Sequence, residues 1–156
     1  MSLSFVFLVF IVYSVVGWIS EVAYCLIVVD HKLVNRGFLH GPLCPIYGFG
    51  ALLVIYLLAP YKGSIPTLFV MAVVWTTVLE YLTSWALETV FSTKWWDYSA
   101  MRFNLHGRIC LRNSLLFGAM AVLVVYFVHP GVIGFLALFA QRTLDIAASV
   151  FGIVLV

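Results

Sequence analysis

A tryptophan, a glutamate, a histidine and a cysteine recur twice along this chain, in the same order and at nearly the same spacing. Trp18-Ile19-Ser20-Glu21 precedes Leu39-His40-Gly41-Pro42-Leu43-Cys44, and Trp85-Ala86-Leu87-Glu88 precedes Leu105-His106-Gly107-Arg108-Ile109-Cys110. Each copy reads W-x-x-E, a polar loop, then L-H-G-x-x-C, and the two loops differ in length by one residue. The chain has only 4 His, 5 Trp and 3 Cys among 156 residues, so chance repetition is a poor account. A carboxylate in apolar surroundings takes up a proton, neutralises a cation or pairs with an arginine. The repeat therefore marks where the polar chemistry is kept, without saying which chemistry it is.

The candidates extend beyond the two motifs. Thr76, Glu80, Ser84 and Glu88 recur every four residues and share one helical face. Ser14, Gly17, Trp18, Glu21 and Cys25 form a similar stripe whose small residues permit close packing, and the two stripes are expected to face each other. Arg36, Arg108 and Arg112, set against Glu21, Glu80, Glu88 and Asp97, leave the cluster close to neutral. Arg108 and Arg112 are expected one turn apart at a helix N-terminus, where a cation opposes the macrodipole. A carboxylate or an anionic ligand accounts for them better than helix stability. Trp18 and Trp85, one turn before the glutamates, can wall a cation or a flat ligand. Trp95 and Trp96 read as interfacial anchors. His40 with Cys44, and His106 with Cys110, form a ligand set that suits zinc. Pro42 interrupts the first copy and no C-x-x-C is present, so no metal site is assigned. Arg142 and Asp145 are i,i+3 neighbours expected to neutralise each other.

The elements that must position these groups are membrane spans. The chain is 65% hydrophobic and 9% charged, against about 25% charged in a soluble domain, and its mean hydropathy is +1.15. Length allows about five spans of ~20 residues. They are drawn at about 3–29, 46–59, 67–91, 108–128 and 132–156. Gly37, Gly41, Pro42, Pro45 and Gly48 make 37–48 an irregular or re-entrant approach to the second span. A turn is expected at His129-Pro130-Gly131. The first apolar run is too long for a signal peptide, has no basic leader and reads as a retained span. The fold class is thus an all-α polytopic helical bundle in a single transmembrane domain. Two parallel helix–loop–helix repeats, about 3–59 and 67–128, are followed by one extra helix. A parallel repeat implies a pseudo-two-fold axis along the membrane normal.

Lys32, Arg36, Lys94, Arg102 and Arg108 follow the first and third spans, and only Lys62 lies opposite. The positive-inside rule then puts the repeat loops in the cytoplasm and the N-terminus outside. The net charge of +2 is too small to argue for nucleic acid. No Gly-rich ATP-binding loop is present, no cofactor motif is found, and three cysteines make no disulfide framework.

Asn35-Arg36-Gly37-Phe38-Leu39-His40-Gly41-Pro42-Leu43-Cys44-Pro45-Ile46-Tyr47-Gly48-Phe49-Gly50 resembles the signature of a bacterial membrane family, the putative ABC-transporter type IV or CmpB-like permeases. So do Trp95-Trp96-Asp97-Tyr98-Ser99 and Phe103-Asn104-Leu105-His106-Gly107-Arg108-Ile109-Cys110. The match runs from about Gly17 to Gly118. The resemblance implies a transporter-like, multi-pass protein of the bacterial inner membrane and names no solute. A chain of this size would need a separate ATPase subunit for nucleotide-driven transport; a homo-oligomer is the other partner left open.

The expected function is binding, and transport, of a small polar or ionic solute between the two repeats. The ligand-binding candidates are Trp18, Glu21, Arg36, Glu80, Trp85, Glu88, Asp97, Asn104 and Arg108, with membrane lipid as the surrounding partner. Two alternatives stay open. One is an intramembrane enzyme with carboxylate acid–base groups and Cys44 or Cys110 as nucleophile. The other is a structural membrane subunit whose paired polar core only locks its fold.

Overall fold

A computed structural model describes residues 2–29, 35, 37 and 41–154. Among the described residues the protein is all-α apart from one short hairpin. Its elements are α1 (Leu3–Tyr24, continued by a π-helical turn at Cys25–Val29), α2 (Pro45–Leu58) and α3 (Ile65–Phe91). Next come β1 (Asn104–Leu105), β2 (Ile109–Cys110), α4 (Leu111–Leu123, with a π turn at Val124–Val128), α5 (His129–Ala137) and α6 (Gln141–Val154). Among the described residues three helical stretches are long and apolar enough to cross a membrane: Leu3–Ile27, Ile65–Phe91 and Leu111–Ala137. Pro45–Tyr61 is apolar but shorter, and α6 has 14 residues.

The chain divides into two compact units, Met1–Leu53 with His129–Val156, and Val54–Val128. In the first unit α1 packs on α5 and α6. Its N-terminus is capped by Ser2, whose hydroxyl accepts from the Phe5 amide at 3.3 Å. Gly17 and Gly48 let α1 and α2 approach closely. A Cβ on Gly17 would overlap the Tyr47 side chain, and one on Gly48 would run into the Ser14 hydroxyl and the Phe10 ring. Small residues at such crossings replace the hydrophobic drive that helices lack in lipid. The Cys44 amide donates to Ser14 O at 2.9 Å and so ties the entry of α2 to α1.

In the second unit α3 packs along α4. Leu58, Leu68, Ala72, Ala121 and Val125 form its buried centre, flanked by Trp75 and Tyr126. Gly118 lies against Val73 too closely to carry a side chain. The Tyr126 hydroxyl donates to Lys62 O at 2.7 Å and closes the turn before α3.

Four sequence expectations change. The helix does not turn at His129-Pro130-Gly131 but continues to Ala137, and the break comes at Leu138–Ala140. Pro130 lies in the first turn of α5, just after the π turn at Val124–Val128. There a missing N–H and a ring aimed at the preceding carbonyls are accommodated. Pro45 is the first residue of α2 rather than part of an irregular segment reaching Gly48, a position where its fixed φ suits a helix. Arg108 does not open a helix. It sits in the hairpin turn, because Ile109 and Cys110 pair with Leu105 and Asn104 and delay α4 until Leu111. Asp145 is not neutralised by Arg142; it accepts from the Gln141 amide at 2.8 Å, one turn earlier.

Candidate functional site

The second unit gathers most of the expected polar residues. On α3, Glu80 lies near the middle and Glu88 in the last turn. They are two turns apart, about 12 Å along the axis at 1.5 Å per residue. Between them Ser84 is buried, and one turn before Glu80 the Thr76 hydroxyl bonds back to Ala72 O at 2.8 Å.

The segment after α3 folds over this face and is locked by its own backbone. Ser92 ends the helix in a left-handed conformation, φ 52°. Tyr98 N donates to Gly107 O at 2.7 Å, Met101 N to Tyr98 O at 2.8 Å, and Leu111 N to Phe103 O at 3.2 Å. The Trp96 indole donates to Arg108 O at 3.0 Å. Asp97 begins an Asx turn, accepting from the Ser99 amide at 2.9 Å and the Ser99 hydroxyl at 2.5 Å. These two bonds hold its carboxyl below the usual carboxylate range. Lys94 stands 3.9 Å away. Asn104 donates to Ser99 O and Met101 O and accepts from Gly107 N, so its amide serves the loop. Gly107 has φ 69°, and a Cβ there would run into Asp97 and Ser99.

This scaffold delivers two side chains to α3. The Tyr98 hydroxyl donates to Glu80 Oε1 at 3.0 Å. Asn113, on the first turns of α4, also bonds Tyr98. Burial first, and then the charge of Glu80, push the Tyr98 hydroxyl up to about 12. The Arg108 guanidinium forms an ion pair with Glu88 through Nη2. It also stands 5.6 Å over the Tyr81 ring, whose hydroxyl lies 2.9 Å from His106 Nδ1. A carboxylate in a helix's last turn opposes the macrodipole, so Arg108 removes a local cost as well as a charge.

Two atoms of this constellation are buried without a hydrogen-bond partner among the described residues: Glu80 Oε2 and Arg108 Nε. Thr77 Oγ1, one turn before Glu80 on α3, is in the same condition. A carboxyl oxygen withdrawn from water and unpaired costs about 1–3 kcal/mol or more.

In the first unit Glu21 takes a different partner. Tyr47 OH donates to Glu21 Oε2 at 2.7 Å. Trp18 Nε1 donates to Asn35 Oδ1 at 2.7 Å, and the Gly37 amide reaches the same oxygen at 3.0 Å. Arg36 and His40 lie outside the described residues. Trp85 is 53% exposed on α3. Cys44 and Cys110 are buried thiols immediately before α2 and α4, and so offer no exposed nucleophile.

Tyr47, Tyr81, Tyr98 and Asn113 were not singled out by the sequence reasoning. Two of them carried a signal. Extending the repeat past its cysteines puts Tyr47 and Asn113 at the same register, three residues after Cys44 and Cys110. Tyr98 lies in a Trp-Trp-Asp-Tyr-Ser run that reads equally well as an interfacial anchor.

No curated protein and no solved structure matches the chain. A family model described as "Putative ABC-transporter type IV" matches residues 8–156.

Proposed function

The chain belongs to the putative ABC-transporter type IV family, and on that premise we propose that this membrane protein binds and moves a small polar or ionic solute. The centre of the site is Glu80 and Glu88 on α3, with Arg108 and Tyr98 brought to them by the following loop. Glu80 takes the cationic group or proton. Arg108, held by Glu88, takes an anionic group or biases the carboxylates. Glu21, its wall Trp18, and Arg36 play the matching part in the first copy of the repeat, and Trp85 borders the second. The protein is multi-pass in the bacterial inner membrane, with the repeat loops in the cytoplasm. A separate ATPase supplies energy if transport is nucleotide-driven.

The observation that carries this is Glu80 Oε2. A core built only to lock the fold is expected to pair both oxygens of a buried carboxyl, and this one is left open on one side. The closed Glu88–Arg108 pair favours the second reading, a structural subunit.

Thermal unfolding in detergent across a panel of monovalent cations, amino acids and small organic anions separates the two. Ligand binding raises stability as RT ln(1 + [L]/Kd). The parent is expected to gain stability from at least one solute class, and Glu80→Gln to stay folded while losing that gain. If no class stabilises the parent, and Glu80→Gln and Glu88→Gln both unfold where the parent survives, the cluster is structural.

A further inference from the structure

A second cationic feature of the loop takes no part in the carboxylate cluster. Ala100, Met101, Arg102, Phe103, Leu111 and Arg112 line an open cleft of about 420 Å³ beside the start of α4. Neither arginine has a hydrogen bond or ion pair to a described residue, whereas Lys94 stands against Asp97 and Arg108 against Glu88. Arg112 lies in the first turn of α4, where the macrodipole disfavours a cation. An anion in the cleft would offset both arginine charges.

The apolar wall is as unusual as the charge. Phe103 is 80% exposed and adopts φ 54°. For a bulky side chain that backbone is an outlier, costing about 1–3 kcal/mol, and such outliers are enriched at functional positions. The strain presents an aromatic ring outward, beside two free guanidinium groups. Phe91 and Trp95 are exposed nearby in sequence and meet at a tilt of 53° with centroids 5.9 Å apart. These residues lie at and just after the end of α3, a helix long enough to cross a membrane, and aromatic side chains are enriched where such helices leave the bilayer.

We infer that the cleft binds the headgroup of an anionic phospholipid, with Arg102 and Arg112 holding the phosphate and Phe103 entering the acyl layer beside it. Guanidinium groups match phosphate oxygens in geometry as well as charge, and anionic lipids are concentrated by basic juxtamembrane residues. The inference is independent of the solute site.

Native mass spectrometry of the full chain, titrated separately with phosphatidylglycerol and phosphatidylcholine, tests it. The parent is expected to retain phosphatidylglycerol roughly tenfold better, a difference of about 1.4 kcal/mol. Arg102→Gln/Arg112→Gln is expected to lose that preference, and Phe103→Ser to retain both lipids less. Millimolar inorganic phosphate is expected not to displace the lipid. Equal retention of the two lipids by the parent overturns the inference, without depending on how any variant folds. So does a folded double variant that holds phosphatidylglycerol like the parent. Displacement by inorganic phosphate alone would assign the cleft to a free anion and not to a lipid.

Discussion

Arg108 closes an ion pair with Glu88 across twenty residues of chain, and the two side chains are only 19% and 31% exposed. In the first copy of the repeat, Pro42 occupies the position of Arg108. A proline cannot supply a charge, and among the described residues the matching Glu21 is met by Tyr47 instead. Among the described residues the same glutamate thus meets an arginine in one copy and a tyrosine in the other.

Breaking the Glu88–Arg108 pair strands a half-buried charge. Glu88→Gln or Arg108→Gln is expected to cost about 1–3 kcal/mol, short of the ~3–5 kcal/mol of a fully buried pair. The double variant is expected to recover part of that loss. A double-mutant cycle by unfolding in detergent gives the coupling, and additive single effects would show that the pair contributes nothing.

Tyr98→Phe removes the hydroxyl that Glu80 accepts from. The expected loss is about 1–3 kcal/mol, because Glu80 is left with no partner among the described residues. The Tyr98 hydroxyl is raised from 10.0 to about 12 in the folded protein. The stability linked to it is therefore complete below pH 10 and lost as pH rises towards 12. Ultraviolet titration of parent against Tyr98→Phe should show one late-ionising phenol missing from the variant.

Gly107→Ala should destabilise the loop by about 1–3 kcal/mol, since φ is 69° and the new methyl meets Asp97 and Ser99. Gly131→Ala is the control. It is helical with open space at its Cβ, and alanine there is expected to stabilise by about 0.4–1 kcal/mol. Similar shifts in the two melting temperatures would contradict the proposed geometry.

Acid should loosen the same loop. The Asp97 carboxyl is held below its ordinary 3.8 by the Ser99 hydroxyl and amide. Its contribution is present above that value and lost as pH falls through the lower one. Tryptophan fluorescence from Trp95 and Trp96 between pH 6 and pH 2, both chosen as roughly bracketing values, should report the change. Asp97→Asn, which can still accept both bonds, should flatten it.

Topology can be read by labelling. Cys25, Cys44 and Cys110 are buried, so a cysteine introduced at Lys94 should report with little background. It is expected to be protected from an impermeant reagent in intact cells and to react after permeabilisation. Reaction in intact cells would put the loop outside.

Composition and periodicity by themselves determined the all-α class and the apolar helices Leu3–Ile27 and Ile65–Phe91, but not the bounds of Leu111–Ala137. These features follow from local rules: a run of apolar residues of the right length needs no knowledge of its neighbours. The repeat likewise pointed to Glu21 and Glu88 without any coordinates. Partner choice was not legible. Glu80 meets Tyr98, and Arg108 belongs to a hairpin rather than a helix, because backbone bonds within the 96–111 loop decide where those side chains arrive. The continuation of the helix through Pro130 was hidden for a related reason. Proline is a breaker on average, and only the π turn at Val124–Val128 creates the local backbone in which it fits. Sequence spacing orders residues along one element; which element's polar atom fills another's vacant bond is set by contacts between residues far apart in the chain.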